Sequence, residues 1–505
     1  MSGALLVAGT HSDAGKSLVT AGICRWLSRQ GIKVAPFKAQ NMALNSIVAR
    51  GGFEIGRAQA MQAHAAGIEP EVAMNPILIK PSGERTSQVV VMGRPYAYAD
   101  ARSYRDLKDE LRPVVAAALA ELRARFDVVV CEGAGSPAEI NLREADLTNM
   151  GLARAANLPV LVVGDIDRGG VFASLLGTLV ALAPADQRLI AGFIVNKFRG
   201  DEAILAPGLD QIEHLTGRPV LGVLPFLPGI SIDAEDSLAI EAPRVDVAGS
   251  RGTLDVAVVR LRWMSNFTDA DALAREPGVR VRFTRDPVDI ARADLVVVPG
   301  TKATVEDLER LRDARLAAAL VARDAAGHPI LAICGGYQML GESIEDDVES
   351  RAGRVPGLGL LPVRTTFAAD KVLRVVHGRS RVLSSEVSGY EIRHGRVTVQ
   401  GGAPLIEADD GGPEGCVDGA TLGTSWHGVL EDDAARRGLL SWVAQRRGID
   451  FTAAEGVCFA AEREQQLDAL GDMIERHVDT RRLLTLIERG VPAGLPDLLL
   501  ERPEC

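Results

Sequence analysis

Two short stretches of this chain combine residue types that could do chemistry. The first, Gly9-Thr10-His11-Ser12-Asp13-Ala14-Gly15-Lys16-Ser17, follows the apolar run Ala4–Ala8 and opens a helical pattern over Leu18–Gln30. A glycine-rich turn between strand and helix aims backbone N–H groups at an anion, and the helix N-terminus adds positive potential. In such a loop Gly9, Thr10 and Gly15 cradle the phosphates of ATP, Lys16 reaches the terminal ones, and the Ser17 hydroxyl ligates Mg2+. Five residues separate Gly9 from Gly15, one more than in the common form of this loop. A triphosphate with Mg2+ also calls for an acidic group at the end of a neighbouring strand. Glu132, which closes Val128-Val-Val-Cys-Glu132 ahead of Gly133-Ala-Gly135, has that place.

The second stretch is His328-Pro-Ile-Leu-Ala-Ile-Cys334-Gly335-Gly336-Tyr337-Gln338, in which an apolar strand ends at a cysteine and a helix follows two glycines. That arrangement pushes a nucleophile out at a sharp turn and leaves the next N–H, at Gly335, to stabilise an oxyanion. The turn Val298-Pro-Gly300-Thr supplies a second donor near Gly300. The double glycine favours a nucleophile over the buried structural thiol that a lone cysteine usually is. A proton acceptor must then come from elsewhere in the chain, and His427, in Gly423-Thr-Ser-Trp-His427-Gly, is the best candidate.

The elements around these residues read as α/β. Short Val-, Ile- and Leu-rich runs at Ala4–Ala8, Val34–Phe37, Val128–Cys131, Val160–Val163 and Ile190–Val195 alternate with helical patterns, as buried parallel strands do. The rhythm lapses over 225–253, where Pro, Gly, Ser and acidic residues collect. It resumes with Leu254–Arg260, Val279–Phe283, Leu295–Pro299 and Ile330–Ile333, then shortens over 355–427 toward partly antiparallel strands such as Arg374–His377 and Val397–Val399. This divides the chain into a parallel-sheet domain over 1–235, a linker over 236–253, a second α/β domain over 254–445 and an extension over 446–505. In the extension Leu467, Leu470, Ile474 and His477 mark one face of a helix expected to pack on the second domain.

The 505 residues allow two to four domains of ordinary size at roughly 100–200 residues each. A formal net charge of −11 argues against nucleic-acid binding through bulk charge and leaves room for a small anion held by one loop. Six cysteines without a CxxC pair predict reduced thiols and a cytoplasmic protein, not a disulfide frame or a zinc site. No apolar run approaches the about 18 residues of a membrane span.

Longer strings carry a family resemblance across nearly the whole length. The first half resembles the dethiobiotin-synthetase-like P-loop amide ligases through Gly9–Ser17, FKAQNMALNS at 37–46, EIGRAQA at 54–60, NPILIKP at 75–81 and EGAGSPAEINL at 132–142. The second half resembles the class I glutamine amidotransferases through PGTK at 299–302, ICGGYQML at 333–340, GYEIRHG at 389–395 and GTSWHG at 423–428. Together they resemble the cobyric acid synthases. The resemblance implies that ammonia from glutamine amidates the b, d, e and g carboxylates of adenosylcobyrinic acid a,c-diamide, each activated by ATP and Mg2+ as an acyl phosphate.

The same resemblance implies roles for single residues. Cys334 and His427 hydrolyse glutamine, which Gln338 helps to bind, and Lys38, Gln40, Asn41 and Asp146 position the acceptor and the transferring phosphoryl group. Asp146 reads equally as a helix N-cap, and Asn196 either as an adenine contact or as a strand-end turn amide. Ala332 stands where many of these glutaminases carry Gly, and Val429 stands where the usual triad has Glu, so a Cys–His dyad is implied. Two rivals are a cobyrinic acid a,c-diamide synthase, with a different substrate-loop signature, and a ParA/MinD-like ATPase switch. That switch carries an additional lysine where this chain has His11.

Overall fold

The computed structural model describes residues 3–230, 252–454 and 456–498; most of the expected linker, 236–251, lies outside the described residues. The first domain is built on six parallel strands: β1 (Gly3–Gly9), β2 (Val34–Phe37), β3 (Val128–Glu132), β4 (Val160–Asp165), β5 (Ile190–Phe198) and β6 (Val220–Pro225). Their order across the sheet is β6-β5-β4-β1-β3-β2. Both faces of this sheet are covered by buried aliphatic clusters, which is why its strands read as continuous apolar runs. Helix α1 (Lys16–Arg29) leaves the end of β1, and its buried positions include Val19, Ile23, Trp26 and Leu27. Beyond the sheet a ribbon, Ser46–Ala49 with Phe53–Gly56, runs into helix α2 (Arg57–Ala65), and Gln40–Met42 joins a small mixed sheet with strands of 77–99.

The second domain repeats the principle. Strands β7 (Leu254–Val259), β8 (Val279–Thr284), β9 (Leu295–Val298), β10 (Ile330–Ile333), β11 (Cys416–Asp418) and β12 (Thr421–Thr424) are ordered β8-β7-β9-β10-β12-β11, and only the β11–β12 pair is antiparallel. Helix α3 (Gly335–Leu340) follows β10 directly. The short strands expected within 355–427 are instead mostly one long antiparallel hairpin, Val363–Ser380 with Ser385–Val399. Burial alternates at Val363–Phe367, Val376–Ser380 and Ser385–Ser388 but not along the stretches between, so a two-residue period shows only fragments of the hairpin.

The C-terminal extension corrects the sequence expectation in two ways. Among the described residues it forms two helices, α4 (Phe459–His477) and α5 (Thr480–Arg489), with Asp479 capping the second through the Arg482 N–H. It also docks on the first domain: Leu467, Leu470, Met473, Ile474, Leu483 and Ile487 share a buried cluster with Val19, Ile23 and Leu27 of α1. Phe459, at its start, packs in the second domain's core. Arg25 and Arg29 of α1 form ion pairs with Asp468, at 2.7 and 2.6 Å. Sequence periodicity shows which face of a helix is apolar and cannot show which domain offers the matching face. Removing buried methylenes from this seam costs about 2–5 kcal/mol per Ile-to-Ala change. We therefore expect Ile474→Ala to lower the urea midpoint of the first domain's unfolding, while a shift within error would mean that α4 does not dock there.

Candidate functional site

Parallel strands collect their chemistry at their carboxyl ends, and both sheets do so here. In the first, the phosphate-type loop leaves β1, with Glu132 at the end of neighbouring β3 and Asp165 at the end of neighbouring β4. The Thr10 N–H donates to Val163 O at 2.9 Å, tying the loop to β4. Lys16 Nζ donates to His11 O at 2.9 Å across the loop. Gly15 has φ 98°, and a Cβ there would fall 2.1 Å from Asn196 Nδ2, so only glycine fits. Asn196 donates to Ala14 O at 2.9 Å, placing it as a brace under the loop, as a strand-end amide would be. Lys197 reinforces it, donating to Asp13 O at 2.7 Å and to Asp165 at 2.8 Å.

Glu132 is fully buried and is the centre of this half. Its Oε1 accepts from Ser17 Oγ at 2.8 Å and from Lys38 Nζ at 2.9 Å, and its Oε2 accepts from Gln62 Nε2 at 2.5 Å. Lys38 therefore lies at the phosphate end of the site. Gln40 instead accepts from the Tyr104 hydroxyl at 2.5 Å, and buried Asn41 donates to Gln59 at 2.9 Å. Both Asp146 oxygens accept from the N–H groups of Thr148, Asn149 and Gly151, in the turn just ahead of the helix Met150–Ala156, whose N-cap position is Asn149. The donor set for a cation is one hydroxyl and one carboxylate. That suits Mg2+, which keeps several waters and phosphate oxygens and seldom uses an all-protein cage. The Thr10 hydroxyl is buried without a hydrogen-bond partner among the described residues, which suits a loop made to meet an acceptor.

In the second sheet, β10 leads to Cys334, neighbouring β9 leads to Gly300, and β12, on the other side of β10, leads to His427. Cys334 has φ 49° and ψ −108°, a strained conformation that lifts the thiol out of the strand and starts α3 at Gly335. As the first residues of a helix, Gly335 and Gly336 present N–H groups without intrahelical acceptors. A Cβ on Gly300 would lie 2.8 Å from His427 Cε1, so this turn packs directly against the imidazole. Buried Gln338 meets the Thr304 hydroxyl at 3.4 Å.

His427 is buried, and its Nδ1 lies 2.7 Å from Asp269 Oδ2; the other Asp269 oxygen accepts from the Gly428 N–H at 2.7 Å. The arrangement is thus Cys–His–Asp in place of the implied dyad. Burial disfavours the imidazolium, but Asp269, and Cys334 with which the ring also hydrogen-bonds, outweigh it and push His427 up to about 10. Val429, at the usual carboxylate position, instead packs in the apolar core. Asp269 was missed because it sits in a short helical turn, Phe267–Ala270, far upstream of Cys334. Two aspartates, Asp269 and Asp271, lie there among apolar residues, and no spacing distinguishes them. Tyr390 stacks on the histidine with ring centroids 5.5 Å apart, and the Cys334 thiol lies 4.0 Å from Ile392 O of the same strand. An imidazolium held this way beside the thiol can give a proton to departing ammonia.

Comparison with known proteins agrees with both halves. Residues 5–239 match the CobQ/CobB/MinD/ParA nucleotide binding domain, and residues 255–435 match the CobB/CobQ-like glutamine amidotransferase domain. The chain is 58% identical over 503 residues to a cobyric acid synthase of Streptomyces avermitilis, covering 98% of both chains. The chain belongs to the cobyric acid synthase family. Its relatives in this family include those of Frankia casuarinae, 57% identical over 98% of this chain and 99% of that one, and Streptomyces coelicolor, 58% identical over 98% of each. These full-length relatives are cobyric acid synthases, which does not favour the diamide synthase or the ATPase switch. No described helix is long and apolar enough to cross a membrane.

The His427–Asp269 pair makes stability depend on pH. A histidine raised from 6.5 to about 10 contributes stability fully present below pH 6.5 and lost as pH rises toward 10. The stability gap between wild type and Asp269→Asn, measured by denaturant unfolding, is expected to shrink across that window. A gap that widens with rising pH would contradict a charged pair.

Proposed function

We propose that this chain carries out the cobyric acid synthase reaction, amidating the b, d, e and g carboxylates of adenosylcobyrinic acid a,c-diamide with ammonia drawn from glutamine. The observation that carries this reading is full-length identity of 58% to a cobyric acid synthase, spanning both candidate sites. Cys334 attacks the glutamine side-chain carbonyl as the thiolate, beside a His427 imidazolium that Asp269 orients, and His427 gives its proton to nitrogen. The C–N bond breaks, ammonia leaves, and water releases glutamate from the thioester. N–H groups near Gly300 and Gly335 stabilise the oxyanion, and Gln338 helps to bind glutamine. Ammonia then moves within the protein, because at neutral pH bulk water would protonate it and remove its nucleophilic pair.

In the first domain Gly9, Thr10, Gly15, Lys16 and Ser17 hold ATP, and Asn196 acts on the nucleotide through the loop that it braces. A corrinoid carboxylate oxygen attacks the terminal phosphorus, ADP departs, ammonia attacks the acyl carbon, and phosphate leaves. Lys38 lies where it can neutralise the transferring group, while Gln40, Asn41 and Asp146 shape the acceptor side. Mg2+, held by Ser17 and Glu132, would offset phosphate charge. The free thiols of the described cysteines suit a reducing cytoplasm.

Mass spectrometry of the corrinoid after incubation with the enzyme, Mg-ATP and glutamine tests this directly. Stepwise replacement of four hydroxyls by amino groups is expected, and an unchanged corrinoid alongside ATP hydrolysis would exclude this substrate. Cys334→Ala is expected to lose glutamine-driven but keep ammonia-driven amidation, whereas Lys16→Ala loses both and retains some glutaminase activity. Loss of ammonia-driven amidation in a folded Cys334→Ala protein would sink the division of labour.

A further inference from the structure

The chemistry of either site does not explain why Arg57, the first residue of α2 in the first domain, is buried against the second. Its Nη2 pairs with Glu431 at 2.5 Å, and its Nη1 lies 3.4 Å from the Tyr390 hydroxyl. Tyr390 is the residue stacked on His427, and the two exchange backbone hydrogen bonds of 3.0 and 2.9 Å. Glu431 lies four residues beyond His427, in the turn Val429–Glu431. From the preceding ribbon, the Ser46 N–H donates to Asn266 Oδ1 at 2.9 Å, three residues before Asp269. The first domain thus buttresses both the ring face of His427 and the segment that carries its carboxylate.

The other end of the same nine-residue helix touches the phosphate site. Gln62 donates to Glu132 at 2.5 Å and to Ser17 O at 3.3 Å, and Gln59 accepts from Asn41 at 2.9 Å. A short helix moves as a unit, because its internal hydrogen bonds resist bending. Helix α2 thus contacts Glu132 and Ser17 through Gln62, and Tyr390 and Glu431 through Arg57.

We propose that Arg57 is a positioning residue for glutamine hydrolysis, holding Tyr390 and the His427 turn in the productive arrangement from the ligase side through α2. This rests on the reading of Cys334 and His427 as the glutaminase pair. Arg57 acts through Tyr390 and the turn that carries Glu431. Its contribution is to the orientation of His427, and so to kcat in preference to KM. A lysine could keep the charge opposite Glu431 but could not fork to the tyrosine as well.

The test uses full-length wild type, Arg57→Ala, Arg57→Lys, Tyr390→Phe and Cys334→Ala, with Mg-ATP and corrinoid present. We expect Arg57→Ala to lower kcat for glutamine hydrolysis about tenfold with KM for glutamine within about twofold. Ammonia-driven amidation should stay near the wild-type rate, which also reports a folded protein. Arg57→Lys should recover part of the lost kcat, and Tyr390→Phe, which keeps the ring but lacks the oxygen, should show a smaller fall. An unchanged kcat in Arg57→Ala, a parallel loss of ammonia-driven amidation, or no recovery with lysine would overturn the proposal. If Cys334→Ala keeps glutamine-driven amidation, the glutaminase reading itself fails, and that outcome is distinct from a silent Arg57.

Discussion

Hydrogen-bonded parallel strands impose one constraint on which the rest of this molecule depends. Every strand of a parallel sheet points its carboxyl end the same way, so residues far apart in sequence arrive side by side at one edge. Glu132 meets the loop after β1 because β3 lies beside β1, with Val7 level with Glu132. His427 meets Cys334 because β12 lies beside β10, with Ile333 level with Thr424. Neither meeting owes anything to closeness along the chain. Each follows from ladder register, which the buried apolar faces hold in place because a slip would turn those faces toward water.

That edge also sets the electrostatics. Both centres bury a carboxylate, and an unpaired buried carboxylate is expensive. Glu132 is matched by Lys38, Ser17 and Gln62, and Asp269 by His427 and the Gly428 N–H. In the second case the partner is titratable, so the pairing that satisfies the carboxylate also changes what the histidine can do. A structural requirement and a chemical one are met by the same short contact.

Between the centres the domains are joined by charge and by apolar packing. Glu54 of the ribbon, fully buried, pairs with Lys80 at 2.6 Å and with Lys371 of the second domain's hairpin at 2.5 Å. Burial works against the Glu54 charge, but the two ammonium groups hold the carboxyl well below its usual range. For Lys371 burial wins, drawing its ammonium down to about 8 despite Glu54. Val48 of the ribbon packs with Tyr390 and Ile392, so the strand that covers the thiol also contacts the ligase domain. With α4 spanning from Phe459 in one core to Ile474 in the other, the two halves are held at several separate points.

What the sequence by itself determined is local. Apolar runs bounded by glycine located the parallel strands, and the residues leaving those strands, Lys16, Ser17, Glu132, Cys334 and His427, were readable because strand-end turns have a distinctive composition. Family strings such as EGAGSPAEINL added the reaction. Tertiary structure alone decided the partners: Asp269 for His427, Ala14 for Asn196, the first domain for α4, and Tyr390 and Glu431 for Arg57. The reason is physical. A strand or a turn is specified by neighbours within a few residues, whereas a carboxylate or guanidinium reaches its partner only after non-local strands have paired, and nothing in the spacing of Asp269 and His427, 158 residues apart, encodes that encounter.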